Sequence, residues 1–531
     1  MSRVIALLLV LISACAHDQL RESVRGLPRP ASTRRAFEGI HGVGGPSGVV
    51  LISDNAVAWA SRWEMLGQAQ ERIEASYFIV APDVFGLAFI AHLYERALHG
   101  VHVRLLVDAK GTGPLLGDVN ASDTLGELAS ADADVLVYNP PLTQVAASLV
   151  EGSTVPLMAA SHDKILVVDH AWGMAGGRNI GAQYFNNQEE NRAAMFDTDL
   201  LIDAPAAADE LVRIARSRAV HQRIEPRDQL ATHDVLLMIY GAMDAWLRGT
   251  VPEEPYEDAV WALEAKGIAQ LDGLPDRTVR DFVREQLKDL AAAHSLYKSV
   301  PVGPLPRHQA EVVVVNVDSR AEKKSDNYAN DALLKAIGAA RERILLQSPY
   351  FMLTPRILAA LSRAGHRGVE IVVLTNGPSS SDNNASQAMF IDTWPELEAR
   401  VPHLRIFVAA DDQMLHAKRA IFDDDLSLVG SYNLDPLSAH MNSEVVVGVW
   451  SREVNAANRG EIEARLDSGN VFEYRIRRDK DGHPLRDHDG VLVVEFGPRD
   501  HVPEEQIAKL EHLKHVLVGI RGLWDFEWVV F

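Results

Sequence analysis

Residues 162–169 read HDKILVVD and are followed at residues 176–179 by GGRN; the chain repeats this arrangement as HAKRAIFD at residues 416–423 and GSYN at residues 430–433. Both copies fit the pattern H-x-K-x4-D-x6-G-[GS]-x-N, and their histidines are 254 positions apart. Several defined positions that recur at identical internal spacing indicate a duplicated functional unit. This duplication decides both the fold and the function that the sequence predicts.

The apolar run after each lysine predicts a strand. Side chains two positions apart on a strand point to the same face, so the histidine and lysine of each copy are predicted to reach one phosphate. The glycine pair allows a tight turn that brings an asparagine to the same place. The predicted catalytic groups are His162, Lys164 and Asn179 in the first copy and His416, Lys418 and Asn433 in the second.

Two histidines facing one phosphodiester permit a transfer reaction. One neutral imidazole attacks phosphorus and forms a phosphohistidine, while the other, protonated, gives its proton to the leaving alcohol. The lysines and asparagines would stabilise the charged transition state. Neither a metal nor another cofactor is predicted, because the lysines carry the charge that a cation would otherwise supply.

Carboxylates complete the predicted site. Aligning residues 442–445 (NSEV) with residues 197–200 (DTDL) predicts that Glu444 and Asp199 each hydrogen-bond a catalytic imidazole and fix its tautomer. Asp169 and Asp423 end their strands, and we interpret them as structural residues bonded to backbone amides. The segment from His483 to His488 lies in a polar turn and is interpreted as solvated and not as a metal site.

The repeat extends beyond the signature, because residues 342–344 match residues 71–73 and residues 368–374 match residues 100–106. Residues 61–76 have helical spacing. Strands that alternate with helices predict an α/β fold with a largely parallel sheet. The predicted domains are a first half (47–205), a helical connection (206–305), a second half (306–465) and a C-terminal hairpin and tail (466–531).

The N-terminus predicts export. Arg3 precedes a short apolar run, and small residues precede Cys15, the only cysteine of the chain. We expect a signal peptide at residues 1–14, lipid attachment at Cys15 and a tether at residues 15–46; the alternative is an ordinary secretory signal with an incidental cysteine. The expected location is the bacterial cell envelope, lipid-anchored and facing the periplasm, with the choice of membrane left open.

Length, composition and net charge limit the classes of protein to which this sequence can belong. The chain has 531 residues, 47% of them hydrophobic, which suffices for two substantial cores. The net charge of −21 argues against broad nucleic-acid binding, which requires a basic surface. No uninterrupted apolar run of 18 residues follows the N-terminal segment, so no transmembrane helix is predicted.

The duplicated H-x-K-x4-D resembles the defining motif of the phospholipase D superfamily. Residues 176–181 and 430–438, with Asn442, Ser443 and Glu444, resemble its bacterial cardiolipin-synthase branch, especially the cardiolipin synthase C-like proteins. The resemblance implies an α/β fold of two similar sandwich domains related by a pseudo-twofold, with the site at their interface. It makes His162 the nucleophile and His416 the acid/base. Leu437 departs from the branch, where Arg is expected.

The resemblance implies a phosphatidyltransferase that makes cardiolipin at a membrane surface. Its phospholipid substrates would be phosphatidylglycerol or a related lipid such as phosphatidylethanolamine. A phospholipase D-type hydrolase that releases phosphatidic acid is the alternative. A nuclease is disfavoured by the net charge. A further alternative is a lipoprotein scaffold without activity, for which His162→Ala or His416→Ala would leave the lipid profile of the cell unchanged. The sequence identifies no accessory protein.

Overall fold

A computed structural model of the chain describes residues 26–117, 119–151, 155–189, 191–218, 221–227, 230–249, 280–281, 283–287, 305–317 and 327–520. The predicted signal peptide, Cys15 and the C-terminal aromatic tail lie outside these residues. Within the described ranges, no helix has both the length and the apolar character needed to cross a bilayer.

Seventeen strands are present in the described residues. They are β1 Val43–Ile52, β2 Arg72–Tyr77, β3 His102–Asp108, β4 Asp134–Tyr138, β5 Lys164–Val168, β6 Trp172–Gly176, β7 Asp199–Asp203, β8 His221–Arg223, β9 His308–Val317, β10 Arg343–Gln347, β11 Glu370–Thr375, β12 Leu404–Ala409, β13 Lys418–Phe422, β14 Leu426–Gly430, β15 Glu444–Trp450, β16 Val471–Ile476 and β17 Val494–Phe496.

Helices cover both faces of the sheet. They are α1 Thr33–Glu38, α2 Asn55–Gln68, α3 Val84–Leu98, α4 Gly113–Gly117, α5 Val119–Ser130, α6 Pro141–Glu151, α7 Val155–Met158, α8 Ala182–Phe185, α9 Pro205–Arg216, α10 Leu230–Leu247, α11 Tyr328–Ala339, α12 Pro355–Gly365, α13 Asn384–Arg400, α14 Pro436–His440, α15 Arg452–Asp467 and α16 Glu504–Ile520, with a 3-10 turn at Pro498–Asp500.

The strand order is the same in both halves. From the centre outwards it runs β1-β7-β6-β5-β2-β3-β4-β8 in the first half and β9-β15-β14-β13-β10-β11-β12-β16 in the second. The equivalent strands β1 and β9 pair antiparallel, with Val43 opposite Val314 and Val49 opposite His308. An antiparallel pair of equivalent strands places a pseudo-twofold axis between them. The predicted α/β fold of two similar, symmetry-related domains is confirmed.

The prediction of a largely parallel sheet is wrong. Parallel pairing joins β2, β3 and β4 in one half and β10, β11 and β12 in the other. The remaining pairings among the described strands are antiparallel. The physical reason is that each signature forms a tight hairpin, β5–β6 or β13–β14, and hairpins connect antiparallel strands.

Each half has its own hydrophobic core. Trp59, Phe85 and Phe89 are almost fully buried in the first, and Trp394 and Phe390 are in the second. A third core lies under α9 and α15 and contains residues of the central strands from both halves. Burying a large apolar side chain stabilises the fold by about 1.5–3 kcal/mol, so this shared core holds the halves together.

The predicted tether ends earlier than residue 46. Leu27, Phe37 and Ile40 are buried in the second-half core, and β1 already begins at Val43. Ser32 caps α1 by accepting a hydrogen bond from the Arg35 amide. This segment therefore belongs to the folded domain, because its apolar side chains cover a face of the second half that would otherwise be exposed.

The connection between the halves is mainly helical where it is described, but it also contains strand β8, which pairs with β4 of the first half. α9 and α10 lie in its N-terminal part, and Val283 and Leu287 are buried in the first-half core. Near the C-terminus, β16 and β17 pair antiparallel.

Candidate active site

The aspartate that ends each signature fixes the signature strand to its neighbour. The Asp169 carboxylate accepts hydrogen bonds from the backbone amides of Gln70, Glu71 and Arg72, each at 2.8 Å. Asp423 accepts from the three equivalent amides of residues 341–343 at 2.9–3.2 Å. Both residues are therefore placed as backbone anchors, away from the reacting groups.

Backbone pairing across the halves brings the two signatures together. The His162 amide donates to the Ser443 carbonyl at 2.9 Å, and the Ser443 amide donates to the Ala160 carbonyl at 2.8 Å. In the symmetric position, the His416 amide donates to the Phe196 carbonyl at 2.7 Å. Each histidine thus sits beside the acidic segment of the opposite half.

Glu444 of the second half orients His162 of the first. A Glu444 carboxylate oxygen lies 2.9 Å from His162 Nδ1, and both residues are buried. The carboxylate also accepts hydrogen bonds from the hydroxyls of Ser431 and Ser438, each at 2.6 Å. The side-chain amide of Asn442 donates to it as well, at 3.4 Å. Four donors therefore hold this carboxylate, and the imidazole that it contacts has a fixed orientation.

The second imidazole is held by Asp197, which the sequence analysis missed. Asp197 Oδ2 lies 2.6 Å from His416 Nδ1. The prediction that Asp199 contacts an imidazole is wrong, because its carboxylate is instead buried against Arg62 at 2.9 Å and Arg178 at 3.0 Å. Asp199 is thus the centre of a buried ion triad that packs behind the site.

The register of the sheet gives the reason for this correction. Gly176 lies opposite Asp199 in the β6–β7 pair, whereas the equivalent Gly430 lies opposite Val446 in the β14–β15 pair. Asp199 is therefore equivalent to Val446, and the residue equivalent to Glu444 is Asp197. The alignment of NSEV with DTDL was displaced by two positions.

The sequence signal for Asp197 was the difference between Gly177 and Ser431 at the second glycine position of the two signatures. A Cβ atom on Gly177 would lie 2.0 Å from Asp197 Oδ1. The equivalent Ser431 instead donates its hydroxyl to the longer Glu444. This position adjoins the carboxylate in both halves, so a side chain is tolerated only where the acid leaves room for it.

The two lysines are buried with the histidines. Lys164 Nζ donates to the His162 carbonyl at 2.9 Å and lies 5.4 Å from the centre of the Phe78 ring. Lys418 Nζ lies 2.8 Å from Nδ1 and 2.9 Å from Nε2 of His416. Burial lowers the pKa of Lys164 to about 7 and that of Lys418 to about 8. The charge of Lys418 contributes to lowering the pKa of Lys164, as expected for groups of one site.

Both imidazoles favour the neutral form. Burial lowers the pKa of His162 to about 4, with Glu444 opposing and Lys164 adding to the effect. Burial and the charge of Lys418 also lower the pKa of His416. A carboxylate at Nδ1 selects the tautomer that carries its proton there. The Nε2 lone pair of each neutral ring is then available to attack or to accept a proton.

The two asparagines of the signature have different surroundings. Asn179 donates to the Tyr184 hydroxyl at 2.8 Å and accepts from the Ile79 amide at 3.1 Å, and the Tyr184 ring packs edge-on against His416. The buried Asn433 Oδ1 has no hydrogen-bond partner among the described residues. Asn179 is therefore held by the protein, whereas the Asn433 amide retains capacity for a ligand.

A cavity of the described residues lies away from these groups. It has a volume of about 570 Å³ and lies between α2 and the outer face of β1, β6 and β7, lined by residues such as Met65, Trp172 and Leu201. None of the signature histidines or lysines lines it. The equivalent face of the second half is covered by Phe37 and Ile40. The cavity is therefore separate from the paired histidines and lysines.

Two groups of exposed residues on the C-terminal turns bring possible metal ligands within 4.8 Å of one another; they are Asp479, Asp481 and His483, and Asp487, His488 and Asp489. Asp479 and Asp487 already accept hydrogen bonds from backbone amides of their own turns. Both groups are exposed, as expected for solvated turns.

Comparison with known proteins agrees with this geometry. The chain matches the family described as "Cardiolipin synthase, PLD-like domain" over residues 63–212 and 333–466, together more than half of its length. It is similar to cardiolipin synthase C of Escherichia coli, with 23% identity over 92% of this chain and 97% of that one. It is also similar to cardiolipin synthase A of Pseudomonas aeruginosa, with 24% identity over 79% of this chain and 66% of the relative.

A solved structure shares the fold across nearly the whole length. The structure of phosphatidylserine synthase from Haemophilus influenzae superposes with a TM-score of 0.57 at 13% identity and covers 92% of this chain and 97% of that one. The duplicated signature, the symmetric sheet and the family match lead to the same assignment: the chain belongs to the cardiolipin synthase family of phospholipase D-like proteins.

Proposed function

We propose that this protein is a phosphatidyltransferase that forms cardiolipin from two phospholipids through a phosphohistidine intermediate. The observation that carries the proposal is the pair of buried imidazoles, each with Nδ1 bonded to a carboxylate of the opposite half and each accompanied by a buried lysine. This arrangement supplies a nucleophile, an acid/base and cationic charge for one phosphodiester.

In the first step, Nε2 of His162 attacks phosphorus, the bond from phosphorus to the headgroup alcohol breaks, and His416 gives its proton to that alcohol. In the second step, His416 takes the proton of an acceptor hydroxyl, whose oxygen attacks phosphorus and releases His162. The anionic diester would raise the pKa of His416 by offsetting the nearby Lys418 charge, so His416 can enter the cycle protonated.

The assignment of His162 as nucleophile is supported by the unequal anchoring of the two acids. The carboxylate of Glu444 accepts from two serine hydroxyls besides His162, which fixes the direction of attack. Lys418 contacts both ring nitrogens of His416, so the proton occupancy of that ring responds to nearby charge. These differences suit a rigid nucleophile and a responsive acid/base.

Transfer in preference to hydrolysis is supported by burial. His162 and His416 are 8% and 5% exposed, so little water reaches the phosphoenzyme. The proposed substrates are phosphatidylglycerol or phosphatidylethanolamine as donor, which release glycerol or ethanolamine, and phosphatidylglycerol as acceptor, whose headgroup supplies the attacking hydroxyl. The test incubates the purified protein with each lipid and with the mixture and identifies products by mass spectrometry. Cardiolipin is expected; phosphatidic acid without cardiolipin would instead make the protein a hydrolase.

The roles of the two histidines are separable. We expect His162→Ala to form no covalent intermediate. His416→Ala should accumulate an alkali-stable, acid-labile phosphatidyl-enzyme when the donor carries a good leaving group that needs no proton. His488→Ala, at an exposed ring on a C-terminal turn, is the control and should match the unaltered protein. Equal labelling of the His162→Ala variant would exclude His162 as nucleophile.

The location is proposed separately. Lipid attachment at Cys15 would hold the site at a membrane of the bacterial cell envelope on its periplasmic side, where both lipid substrates reside. Replacing residues 1–15 with a cleavable secretory signal that has no cysteine is expected to move the protein from the membrane fraction to the soluble periplasmic fraction. Unchanged fractionation and unchanged mass of the N-terminal peptide would contradict lipid attachment.

A further inference from the structure

The two halves differ most in the segment that leads to each catalytic histidine. In the second half, six residues (410–415) separate the end of β12 from His416. In the first half, twenty-three residues (139–161) separate the end of β4 from His162 and include α6 and α7. The insertion therefore exists on one side of the pseudo-twofold and is attached to the proposed nucleophile.

The base of this insertion is closed by hydrogen bonds. The Asn139 side chain donates to the Ala159 carbonyl at 3.0 Å, and Lys110 Nζ donates to the same carbonyl at 3.1 Å. The next residue, Ala160, accepts from the Ser443 amide of the other half. The position of α6 is thus tied to the site through a short, bonded connection.

The insertion has few charged residues and exposes apolar side chains, which is unusual for a surface in contact with water. Of residues 139–161, only Glu151 is charged, although 24% of the whole chain is charged. On α6, Leu142 is 87% exposed and Val145 is 53% exposed, and three positions apart they share one face of the helix. Among the described large hydrophobic side chains, Leu142 has the greatest exposed fraction.

We propose that the exposed face of α6 docks on the interfacial layer of a phospholipid bilayer and presents the catalytic site to lipids; this rests on the proposed function. A protein with a net charge of −21 is repelled by anionic lipid surfaces, so contact requires an uncharged surface that enters the acyl boundary. The stretch without charge on α6 has that complementarity. Interfacial helices bury their apolar face about 5–10 Å into the boundary between headgroups and acyl chains, and the exposed Leu142 and Val145 of α6 would enter this layer.

The test compares matched substitutions in the mature chain that begins at residue 16, so that neither the apolar run of residues 4–11 nor lipid attachment at Cys15 can supply binding. Leu142→Asp with Val145→Asp alters the α6 face. Val491→Asp is the control, because Val491 is 60% exposed on a C-terminal turn. Binding is measured by flotation with vesicles of phosphatidylcholine alone and of phosphatidylcholine with phosphatidylglycerol.

We expect the double substitution to lower vesicle partitioning at least tenfold, because it places two charged side chains where two apolar ones would be buried in the bilayer. Val491→Asp should bind like the parent, and binding should change little between about 0.1 and 0.5 M salt because it does not rest on charge. Hydrolysis of the water-soluble diester bis(4-nitrophenyl) phosphate should stay within about twofold for all variants, because the histidines are unaltered.

Vesicle binding by the double variant within about twofold of the parent would overturn the proposal. So would a change from dimer to monomer in size-exclusion chromatography with vesicle binding unchanged, since the face would then be a contact between two copies. If the parent binds vesicles through α6 but yields no lipid product, the docking surface stands and the proposed function fails. The two failures are therefore distinguishable.

Discussion

Asp197 and Asp199 are two positions apart, yet the structure gives them opposite tasks, and this difference is testable with one pair of variants. Asp197→Asn keeps the shape but replaces the acceptor at 2.6 Å from His416 Nδ1 with an amide. An amide there favours the wrong imidazole tautomer. Where a carboxylate orients a catalytic histidine, this exchange lowers kcat by roughly 10⁴-fold, equivalent to about 5 kcal/mol of transition-state stabilisation.

Asp199→Asn should affect folding instead. The carboxylate is fully buried between Arg62 and Arg178, and removing one partner of a buried ion pair costs about 3–5 kcal/mol. Arg178 keeps acceptors in the carbonyls of Ile52 and Ser53, so the lower part of that range is expected. The folded fraction should retain kcat within about tenfold, because Asp199 does not contact an imidazole.

The assay measures cardiolipin formation and urea unfolding for both variants, with activity divided by the folded fraction at the assay temperature. The expected pattern is an inactive, stable Asp197→Asn and an active, destabilised Asp199→Asn. The reverse pattern would mean that Asp199 orients His416, and the equivalence drawn from the β6–β7 and β14–β15 registers would be refuted.

Three further predictions follow from the same geometry. The kcat/KM of the free enzyme should fall below pH about 4 as His162 becomes protonated and above pH about 7–8 as Lys164 and Lys418 lose their charge. Lys164→Arg should move the alkaline limb upwards, because the limb then follows Lys418 alone, whose pKa is about 8; a pH profile without an alkaline limb would contradict the buried charge of the lysines. Gly177→Ala should lower kcat at least 100-fold, because the added methyl displaces Asp197, while Ser431→Ala should lower it less than tenfold; equal effects in steady-state kinetics would contradict the close approach. Finally, Asp199→Val alone should lower the free energy of unfolding by about 3–5 kcal/mol. The second half has Leu333, Tyr432 and Val446 at the positions equivalent to Arg62, Arg178 and Asp199. The triple change of Arg62→Leu, Arg178→Tyr and Asp199→Val should therefore recover most of that loss, measured by urea unfolding.

The sequence predicted those parts of the site that depend on local spacing. The histidine, lysine and asparagine of each signature, and the aspartates at the strand ends, follow from one repeated pattern. Asp169 and Asp423 accept backbone hydrogen bonds as their strand-end positions indicated. Local spacing also predicted the strands β5 and β13, because each is short, apolar and bounded by the signature.

Features set by tertiary contacts were not predictable in the same way. Residues 61–76 have helical spacing, yet α2 ends at Gln68 and β2 begins at Arg72. The intervening amides of Gln70 and Glu71 bond to Asp169, almost one hundred residues away, and such bonds override local helical preference. The wrong prediction of Asp199 in place of Asp197 has a similar cause. Two carboxylates two positions apart cannot be distinguished until the register of the neighbouring strand is known.

Each catalytic histidine is oriented by an acid of the other half, which the sequence repeat alone did not reveal. His162 is oriented by Glu444 and His416 by Asp197, so neither half contains an oriented imidazole of its own. The backbone bonds of His162 to Ser443 and of His416 to Phe196 lie directly beside these contacts. A shift of one half against the other would therefore disturb both histidines at once. Since the two imidazoles must act on the same phosphorus in succession, this shared support couples the geometry of attack to that of proton transfer.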